Sequence, residues 1–369
     1  MASAEDIAAS IFGAIGKNDE PSTVTHFLST GYPELDHALS ATWDGGGAVG
    51  RMIEISGPPS AGKTAIATAI MANAQKRGGV AGFMDHERSF SMILAEKLGV
   101  NIKSLIYRKP RTFEESVQLM VVAAQHVRDK KLIPKDAPIV WVFDSLAAMV
   151  PQSALIDAKT GKDRAAESRN MNDNTALARA TSAHFPALAQ HCDELGICCI
   201  FLNQIRIDLK VQQGDNRKTA GGDNAKFYFS QRIMLSASKI KRSATSPEVI
   251  GMEVKANVIK NKVARPFATA TWRFDFMPDG TGRFNVYRSL VDFLVRQKIL
   301  TQSGAYINWA YPGSVVSFPS GKSYAGALAD KLEAAGAAGW AELIALLPKK
   351  YEPEIVVVVD LDDEPAAAA

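Results

Sequence analysis

A glycine-rich octapeptide is the part of the sequence whose residue types and spacing point most directly to a reaction. It runs from Gly57 to Thr64 and fits the pattern G-x-x-x-x-G-K-[S/T]. Its glycines let successive backbone N–H groups face a phosphate, and a helix beginning near Lys63 adds a positive dipole. Lys63 would reach the β- and γ-phosphates. The predicted ATP-binding residues of this loop are Gly57, Pro58, Pro59, Ser60, Ala61, Gly62, Lys63 and Thr64.

An aspartate at a strand end supplies a second nucleotide-binding residue. Asp144 closes the apolar run IVWVFD and precedes Ser145. There its carboxylate can accept from a magnesium-bound water, or it can cap the segment that follows. Together with the glycine-rich loop it favours the first role. We therefore expect Mg²⁺ to be held by the Thr64 hydroxyl and, through water, by Asp144.

Glu87 is the candidate for activating water. It follows the apolar run VAGFMD, where a carboxylate can orient a water for in-line attack on the γ-phosphate. Asp85 competes for that role, and either residue could instead be a cap. His86 has no second His or Cys at ligand spacing, so we expect a packed or exposed imidazole.

Alternating strands and helices must position these residues. The patterns predict strands at 51–56, 80–85, 139–144 and 197–203, and helices at 65–76 and 113–128. Such alternation indicates an α/β fold with a mostly parallel central sheet and helices on its faces. Two long polar segments, 153–174 and 206–224, interrupt it, and loops of that length in a compact domain are usually functional or disordered.

Several segments downstream of the loop resemble bacterial RecA recombinases, in the order that the family has them. They are Phe201-Leu-Asn-Gln-Ile-Arg206, Gly221-Gly222 followed by Ala225-Lys-Phe-Tyr228, and Val258-Ile-Lys-Asn-Lys-Val-Ala-Arg-Pro-Phe267. With segments 28–39 and 290–300, the resemblance covers about residues 25–345. It implies a RecA-type P-loop ATPase core, a short N-terminal helix arm and a small α+β C-terminal domain.

The resemblance also implies roles for single residues. Gln204 is similar to the family's γ-phosphate sensor, whose amide orders the loop that begins at Arg206. Lys260 and Lys262 resemble the pair that acts in trans on a neighbour's ATP, where two cations stabilise charge as an arginine finger does. The implied catalytic set is Glu87, Lys63, Gln204, Lys260 and Lys262, and the implied subunit interface contains Lys226, Phe227 and Arg232.

The implied DNA contacts lie in and beside the two long segments. They are Arg169, Arg179, Ser182, Arg206, Lys210, Arg217, Lys218, Gly221 and Gly222. Contact with the DNA backbone rather than with base edges suits a protein that binds any sequence. Ordinary exposed loops are the alternative, and segment 153–174 does not align with the family.

The sequence departs from the family at three further places. Leu94 stands where an aromatic residue would stack on adenine, which leaves the adenine contact open. Asp208 replaces a basic loop residue, with Lys210 as a possible substitute. Pro186 occupies an arginine position at the DNA face.

We divide the chain into four parts. Residues 1–24 form a helix and linker that can dock on another protomer, 25–286 the ATPase and DNA-binding core, 287–350 the small C-terminal domain, and 351–369 an acidic tail. The tail's acidic residues resemble the family's inhibitory tail; they are Asp360, Asp362, Asp363 and Glu364.

Composition narrows the protein class without identifying a ligand. The chain has 369 residues, 47% of them apolar, and a net charge of +3, which is too small to indicate nucleic-acid binding by itself. No apolar run is long enough to cross a bilayer, and the N-terminus lacks signal-peptide features. We expect a cytosolic protein whose three cysteines are reduced and buried.

The resemblance implies an ATP-dependent DNA recombinase with ATP and Mg²⁺ as cofactors. Its expected partners are single-stranded DNA, homologous double-stranded DNA, further copies of itself in a helical filament, and single-strand-binding and loader proteins. One alternative is a hexameric helicase or clock-type ATPase, which would use an arginine finger instead of the lysine pair. Another is a regulatory ATPase that does not exchange strands.

Overall fold

A ten-stranded sheet forms the centre of the protein, which we describe from a computed structural model over residues 3–15, 22–164, 175–207 and 217–349. The helices are α1 (Ala4–Ile15), α2 (Pro33–Ser40), α3 (Lys63–Lys76), α4 (Met92–Lys97), α5 (Phe113–Asp129), α6 (Gln152–Leu155), α7 (Ala176–Leu195), α8 (Gly222–Tyr228), α9 (Val286–Arg296), α10 (Ala325–Ala334) and α11 (Ala337–Ala345). The strands are β1 (Phe27–Leu28), β2 (Gly47–Ala48), β3 (Met52–Gly57), β4 (Val80–Asp85), β5 (Ile106–Arg108), β6 (Ile139–Asp144), β7 (Ile197–Ile207), β8 (Arg217–Thr219), β9 (Gln231–Lys241), β10 (Val249–Asn261), β11 (Thr269–Phe276), β12 (Gly282–Phe284), β13 (Gln302–Ser303), β14 (Tyr306–Asn308) and β15 (Lys322–Tyr324).

The large sheet has a parallel half and an antiparallel half. Its order is β12-β11-β10-β9-β3-β7-β6-β4-β5, and β8 pairs with β7 outside this path. The run from β9 to β5 is parallel, whereas β9 to β12 form an antiparallel meander. The predicted mostly parallel α/β sheet is confirmed, and the carboxyl ends of β3, β4, β6 and β7 meet at one edge.

Two apolar cores cover the two faces of this sheet. Strand β7 shows the division, because Ile200 and Leu202 pack into one core while Cys199 and Phe201 pack into the other. All residues of β3 and β6 are buried, as expected for parallel strands covered on both faces. The three cysteines are buried and free.

A third apolar core lies between residues 290 and 347, where α9, α10 and α11 pack with the three-stranded sheet β13-β14-β15. It is tied to the large sheet through α2. The Arg296 guanidinium donates to the buried Glu34 carboxylate at 2.8 Å, and the Tyr32 hydroxyl donates to the Ser289 carbonyl at 3.3 Å. Desolvation raises the pKa of Glu34, and the Arg296 charge opposes that rise.

The two long polar segments contain more order than their composition predicts. Strand β7 continues beyond Asn203 to Ile207 because its end pairs with β8, with Arg206 opposite Lys218. In the first segment, Ile156 forms an antiparallel bridge with Asp163. Hydrophobic patterning misses both features because few residues pair and most of their partners are polar. Residues 165–174, 208–216 and 350–369 lie outside the described residues, and with them the acidic tail.

Candidate active site

The glycine-rich loop connects the buried strand β3 to the helix α3. Gly62 has φ +86°, a conformation that favours glycine, and α3 begins directly after it at Lys63. The first amides of α3 therefore point into a cleft of about 420 Å³, a volume in the usual range for small-molecule sites. We refer to it as the cleft. Its lining residues are Pro59, Ser60, Ala61, Gly62, Lys63, Thr64, Ala65, Glu87, Leu94, Asp144, Gln204, Met252, Phe274 and Phe276.

Lys63 and Asp144 place opposite charges at the base of the cleft. The Lys63 ammonium donates to the carbonyls of Gly57 at 3.0 Å and Pro58 at 2.8 Å. The Thr64 hydroxyl donates to the Asp144 carboxylate at 3.0 Å. Burial raises the pKa of Asp144 to about 6, with Glu87 adding to the rise, while burial lowers the pKa of Lys63. The predicted loop residues and Asp144 are thus adjacent.

The chemistry of these groups fits magnesium better than a metal that needs many protein ligands. Thr64 and Asp144 offer hard oxygen atoms. In the part of the chain that the structure describes, no group of three or more His, Cys, Asp or Glu side chains could hold a metal. Mg²⁺ commonly takes one or two protein oxygens and completes its shell with water and substrate phosphates.

Glu87, rather than Asp85, is available at the cleft. The Asp85 carboxylate is buried and accepts from the Tyr107 hydroxyl at 2.7 Å and from two backbone N–H groups, so it has a structural role. His86 is held by Ser116 at 2.7 Å, and burial lowers its pKa to about 4. The Glu87 carboxylate lines the cleft and accepts from the Ser145 hydroxyl, which follows Asp144 directly.

Gln204 connects Glu87 to the strand that leads into the second long segment. Its side-chain amide donates to Glu87 Oε1 at 2.8 Å, the same oxygen that accepts from Ser145. Its backbone N–H donates to the Asn203 side chain at 2.9 Å, and Asn203 also donates to the carbonyl of Ala220 at 3.0 Å. Asn203, next to the cleft residue Gln204, therefore holds both ends of the β7–β8 hairpin in place.

A buried ion pair holds the Asn203 side chain in position. Asn203 donates to Glu54 on β3 at 2.8 Å, and Glu54 accepts from Arg232 on β9 at 2.6 Å. Arg232 is predicted to lie in a subunit interface, but its guanidinium faces a carboxylate of its own chain, so the interface role stays a prediction. Sequence reasoning missed Glu54, Asn203 and Ser145, whose only signal is a polar residue within or beside an apolar strand.

The Gly221-Gly222 pair fixes the end of the β7–β8 hairpin against α7. Gly221 has φ +96°, and a Cβ there would lie 2.9 Å from the Leu146 side chain. The Gly221 carbonyl accepts from the Thr181 hydroxyl at 2.7 Å. On the same helix, Arg179 donates to Thr175 at 2.6 Å and Ser182 to the carbonyl of Ala178 at 2.8 Å. Gly221, Gly222, Arg179 and Ser182 thus belong to one α7–α8 unit.

The remaining predicted DNA residues are described less fully. Arg206, Arg217 and Lys218 are placed by the backbone of β7 and β8, while Arg169 and Lys210 lie outside the described residues. In the first segment, the hairpin around the Ile156–Asp163 bridge is held by an Arg111–Asp163 ion pair of 2.6 Å. Lys159 and Lys162 occupy its exposed tip.

The predicted lysine pair lies on a different surface. The Lys260 ammonium donates to the carbonyls of Lys226 at 2.6 Å and Phe227 at 3.1 Å, and Lys262 reaches the Phe227 carbonyl at 3.4 Å. Burial and the neighbouring Lys262 lower the pKa of Lys260 to about 8. The Phe227 side chain is 68% exposed. We call Lys226, Phe227, Lys260 and Lys262 the lysine surface; none of them lines the cleft of its own chain.

The cleft also has an apolar wall, at the place where the contact to adenine was not predicted. Leu94 stands there on α4, and the other members are Met252 on β10 with Phe274 and Phe276 on β11. Phe276 is 45% exposed, which is unusual for a phenylalanine in a sheet. Met252 precedes the lysine pair on β10 and the two phenylalanines follow it on β11, far from the glycine-rich loop in the sequence, so spacing around that loop could not reveal them.

None of the described helices combines the length and the apolar character needed to cross a membrane.

Comparison with known proteins places the whole cleft within one sequence family. A model of the RecA N-terminal domain matches residues 9–280. Protein RecA of Chlorobaculum tepidum is 35% identical over 299 residues, which cover 80% of this chain and 78% of that protein. Protein RecA of Chloroherpeton thalassium is 35% identical over 283 residues, covering 76% and 71%. Protein RecA of Chlorobaculum parvum matches to the same extent as the first.

Proposed function

The chain belongs to the RecA family, and from this premise we propose that it is an ATP-dependent DNA recombinase that forms helical filaments on single-stranded DNA and pairs it with a homologous duplex. The comparisons support a RecA recombinase function and a DNA-dependent ATPase in general. They do not favour a closed-ring helicase, a clock-type ATPase or a regulatory ATPase. We propose further that hydrolysis is coupled to strand exchange.

The observation that carries the proposal is the contact between Gln204 and Glu87. The Gln204 amide donates to the Glu87 carboxylate at 2.8 Å. A terminal phosphate in the cleft would present further charged acceptors within reach of this amide, and we propose that the amide turns from the carboxylate to the phosphate. Because Gln204 lies on β7 shortly before Arg206, this exchange would reposition the hairpin that carries the proposed DNA residues.

Hydrolysis needs charge neutralisation and an oriented water. Lys63 would bind the β- and γ-phosphates, and Thr64 and Asp144 would hold Mg²⁺, which when bound neutralises charge developing on the γ-phosphoryl group. Glu87, released by Gln204, would orient the attacking water. The Ser145 hydroxyl would keep the Glu87 carboxylate in place while Gln204 moves.

A neighbouring protomer would complete the site. Lys260 and Lys262 present their ammonium groups beside an exposed phenylalanine and away from their own cleft. A cation inserted from a neighbour can stabilise the transition state much as an arginine finger does. A surface that differs from the cleft gives a head-to-tail contact, which repeats as a helix when the rotation does not close.

DNA would bind along α7 and the two hairpins. Arg179 and Ser182 lie on α7, and the glycine pair beside them lets the backbone approach phosphates closely. Arg206, Arg217 and Lys218 on the β7–β8 hairpin would add cations, together with Arg169 and Lys210. These contacts would be to phosphates, so that base pairing between strands supplies the specificity.

The cellular setting of the proposal follows the family resemblance. We propose a cytosolic protein that works with single-strand-binding and loader proteins. We also propose that the chain is organised in four parts, residues 1–24, 25–286, 287–350 and 351–369. The first part would dock on a neighbouring protomer.

Affinity for single-stranded DNA in three nucleotide states tests the proposal. We expect the full chain to bind a fluorescent oligonucleotide about tenfold or more tightly with a non-hydrolysable ATP analogue than with ADP or no nucleotide. Gln204→Ala should bring the three affinities together while ATP still binds. Gln297→Ala, which removes an exposed glutamine at the end of α9, is the matched control and should keep the wild-type ratio. Equal affinities in the wild type would refute the proposal.

Electron microscopy separates the proposal from the closed-ring alternative. With the analogue and single-stranded DNA, we expect open helical filaments. Closed six-membered rings would favour the helicase or clock-type reading instead.

A further inference from the structure

Glu54 is a buried carboxylate on β3 that belongs neither to the cleft nor to the lysine surface. Its side chain is 1% exposed. An ionised carboxylate is costly to bury unless it is paired and hydrogen-bonded. Its two oxygens are used by two different strands: Oε1 accepts from the Asn203 side chain on β7 at 2.8 Å, and Oε2 accepts from the Arg232 guanidinium on β9 at 2.6 Å. Glu54 therefore links the two strands that flank β3.

On the β7 side, Glu54 contacts the residue that holds the β7–β8 hairpin. Asn203 is wholly buried, and its side-chain oxygen accepts from the backbone N–H of Gln204 at 2.9 Å and from that of Ala220 at 3.3 Å. The amide nitrogen of the same side chain donates to the Ala220 carbonyl at 3.0 Å and to Glu54. A movement of Gln204 or of the hairpin therefore reaches Glu54 through a single side chain.

On the β9 side, Glu54 contacts the residue that stands next to the lysine pair. The strand registers place Glu54 opposite Arg232 and Arg232 opposite Lys260, so the three residues form one row across β3, β9 and β10. Their charges influence one another, since burial and the charges of Lys262 and Arg232 lower the pKa of Lys260, whereas the Glu54 carboxylate raises it. A movement of Arg232 would therefore change the surroundings of Lys260.

We propose that Glu54 is a positioning residue that couples the cleft and the β7–β8 hairpin of one protomer to the lysine surface with which that protomer acts on its neighbour's nucleotide. This coupling rests on the proposed function and adds its regulation. A carboxylate buried between an amide and a guanidinium has no water to replace either partner, so a shift of Asn203 is passed on to Arg232. When Gln204 exchanges its bond in one protomer, the position of Lys260 at the next protomer's cleft would change with it.

Glu54→Gln breaks the link and keeps the shape of the side chain. The new amide oxygen can still accept from Arg232, but the amide nitrogen cannot accept from Asn203, so one of the two bonds is lost. We expect the single-stranded-DNA-dependent ATPase turnover of the full chain to fall about tenfold or more, because Lys260 is no longer placed correctly. The Kd for an ATP analogue should stay within about threefold of wild type, because Glu54 does not line the cleft. Turnover equal to that of the wild type would overturn the proposal.

Mixed assemblies show whose nucleotide the change affects. Glu54→Gln is combined with an equal amount of Glu87→Gln, which has a defective cleft but keeps Glu54 and the lysine surface. About a quarter of head-to-tail contacts then join an intact cleft to a lysine surface supported by Glu54, so activity should rise to about a quarter of wild type at the same total concentration. If Glu54 served only its own cleft or the stability of the fold, the inactive partner would dilute the activity to about half that of Glu54→Gln alone, and the proposal would be wrong.

Glu34→Gln is the matched control. Glu34 is also a buried carboxylate that accepts from an arginine, Arg296, at 2.8 Å, but it joins α2 to α9 instead of the strands beside the lysine pair. This variant should lose stability in thermal unfolding, as Glu54→Gln does, and keep turnover within about threefold of wild type. Mixing it with Glu87→Gln should lower its activity. A rise on mixing would show that any buried carboxylate gives this result, and the role of Glu54 would be refuted.

Arg232→Lys tests the same link from its other end and serves where Glu54→Gln does not fold. Lysine keeps the positive charge but lacks the planar guanidinium that bonds the Glu54 carboxylate. We expect the same pattern: lowered turnover, unchanged affinity for the ATP analogue, and a rise in activity on mixing with Glu87→Gln. Wild-type turnover in Arg232→Lys would contradict the proposal, because the row from Glu54 to Lys260 would then not require this contact.

The wild-type protein separates failure of this coupling from failure of the proposed function. A wild-type chain without ATPase activity on single-stranded DNA contradicts the proposed function itself. An active wild type together with a Glu54→Gln mixture that only loses activity leaves the proposed function in place and contradicts only the coupling through Glu54.

Discussion

The cleft and the lysine surface are built in opposite ways. In the cleft, functional side chains bond one another: Thr64 to Asp144, and Gln204 and Ser145 to Glu87. On the lysine surface, the hydrogen bonds of Lys260 and Lys262 within the described residues go to backbone carbonyls, and an exposed phenylalanine lies beside them.

This difference indicates which part of the site one chain can complete alone. The Thr64–Asp144 and Ser145–Glu87 bonds hold these side chains at the cleft before substrate arrives, whereas the Gln204–Glu87 bond is the one proposed to exchange. Two ammonium groups beside each other, with no carboxylate bonded to either among the described residues, favour an anion from outside the protomer. The comparison therefore predicts a cleft that binds nucleotide by itself and a lysine surface that matters only for turnover in an assembly.

The largest expected effect contrasts two lysines. Lys63→Ala should remove nucleotide binding and lower single-stranded-DNA-dependent ATPase activity by about 10³-fold or more, because the phosphates lose their cation. Lys260→Ala should lower turnover by about 10³-fold, as loss of an arginine finger does, with nucleotide affinity of the unassembled chain within about threefold of wild type. Steady-state kinetics and competition binding measure both. Loss of nucleotide binding in the Lys260 variant would remove the distinction between the two regions.

Mixing two inactive variants sharpens the comparison further. Glu87→Gln has a defective cleft and an intact lysine surface, and Lys260→Ala has the reverse. In a random equimolar assembly about a quarter of head-to-tail contacts join an intact cleft to an intact lysine surface, so about a quarter of wild-type activity should return. Each variant alone should stay inactive at the same total concentration. A mixture no more active than its components would mean that the lysines act within their own chain.

Much of the fold followed from the sequence because the relevant signals are local. The buried strands at 80–85 and 139–144 have the predicted bounds, since turn residues and polar segments flank short apolar runs. The glycine-rich loop has its predicted strand and helix on either side. Strand ends in the polar segments were missed, because small hairpins such as β7–β8 depend on pairing rather than on apolar periodicity.

The cleft was predictable in part for the same reason. Lys63, Glu87 and Asp144 could be predicted because each lies at or shortly after the end of a predicted strand. The structure brings them together with Gln204. The choice between Asp85 and Glu87 needed hydrogen bonds, since both follow the same strand. The apolar wall could not be predicted without the order of the strands, because β10 and β11 belong to the antiparallel half of the sheet.

A moderate effect is expected from the exposed phenylalanine. Phe227→Ala should raise the protein concentration needed for half-maximal assembly about tenfold, because an aromatic anchor buried in an interface typically contributes more than 1 kcal/mol. Light scattering with single-stranded DNA and the ATP analogue measures it. Nucleotide affinity of the unassembled chain should not change, because Phe227 does not line the cleft. Normal assembly by this variant would contradict the proposal that the lysine surface contacts a neighbouring protomer.

The smallest effect concerns the charge of Lys260. Burial and the Lys262 charge hold its pKa at about 8, and a lysine with a lowered pKa is charged below that value and neutral above it. Turnover at saturating ATP and DNA should therefore fall as the pH rises through the region above 8. A neighbour's phosphate favours the charged form, so assembly should move the midpoint upward. Lys260→Arg keeps its charge throughout this range, so its profile should stay level on the alkaline side even if its activity is lower at every pH. If both proteins lose activity over the same alkaline range, another group is titrating, and the cation on the lysine surface does not set the rate.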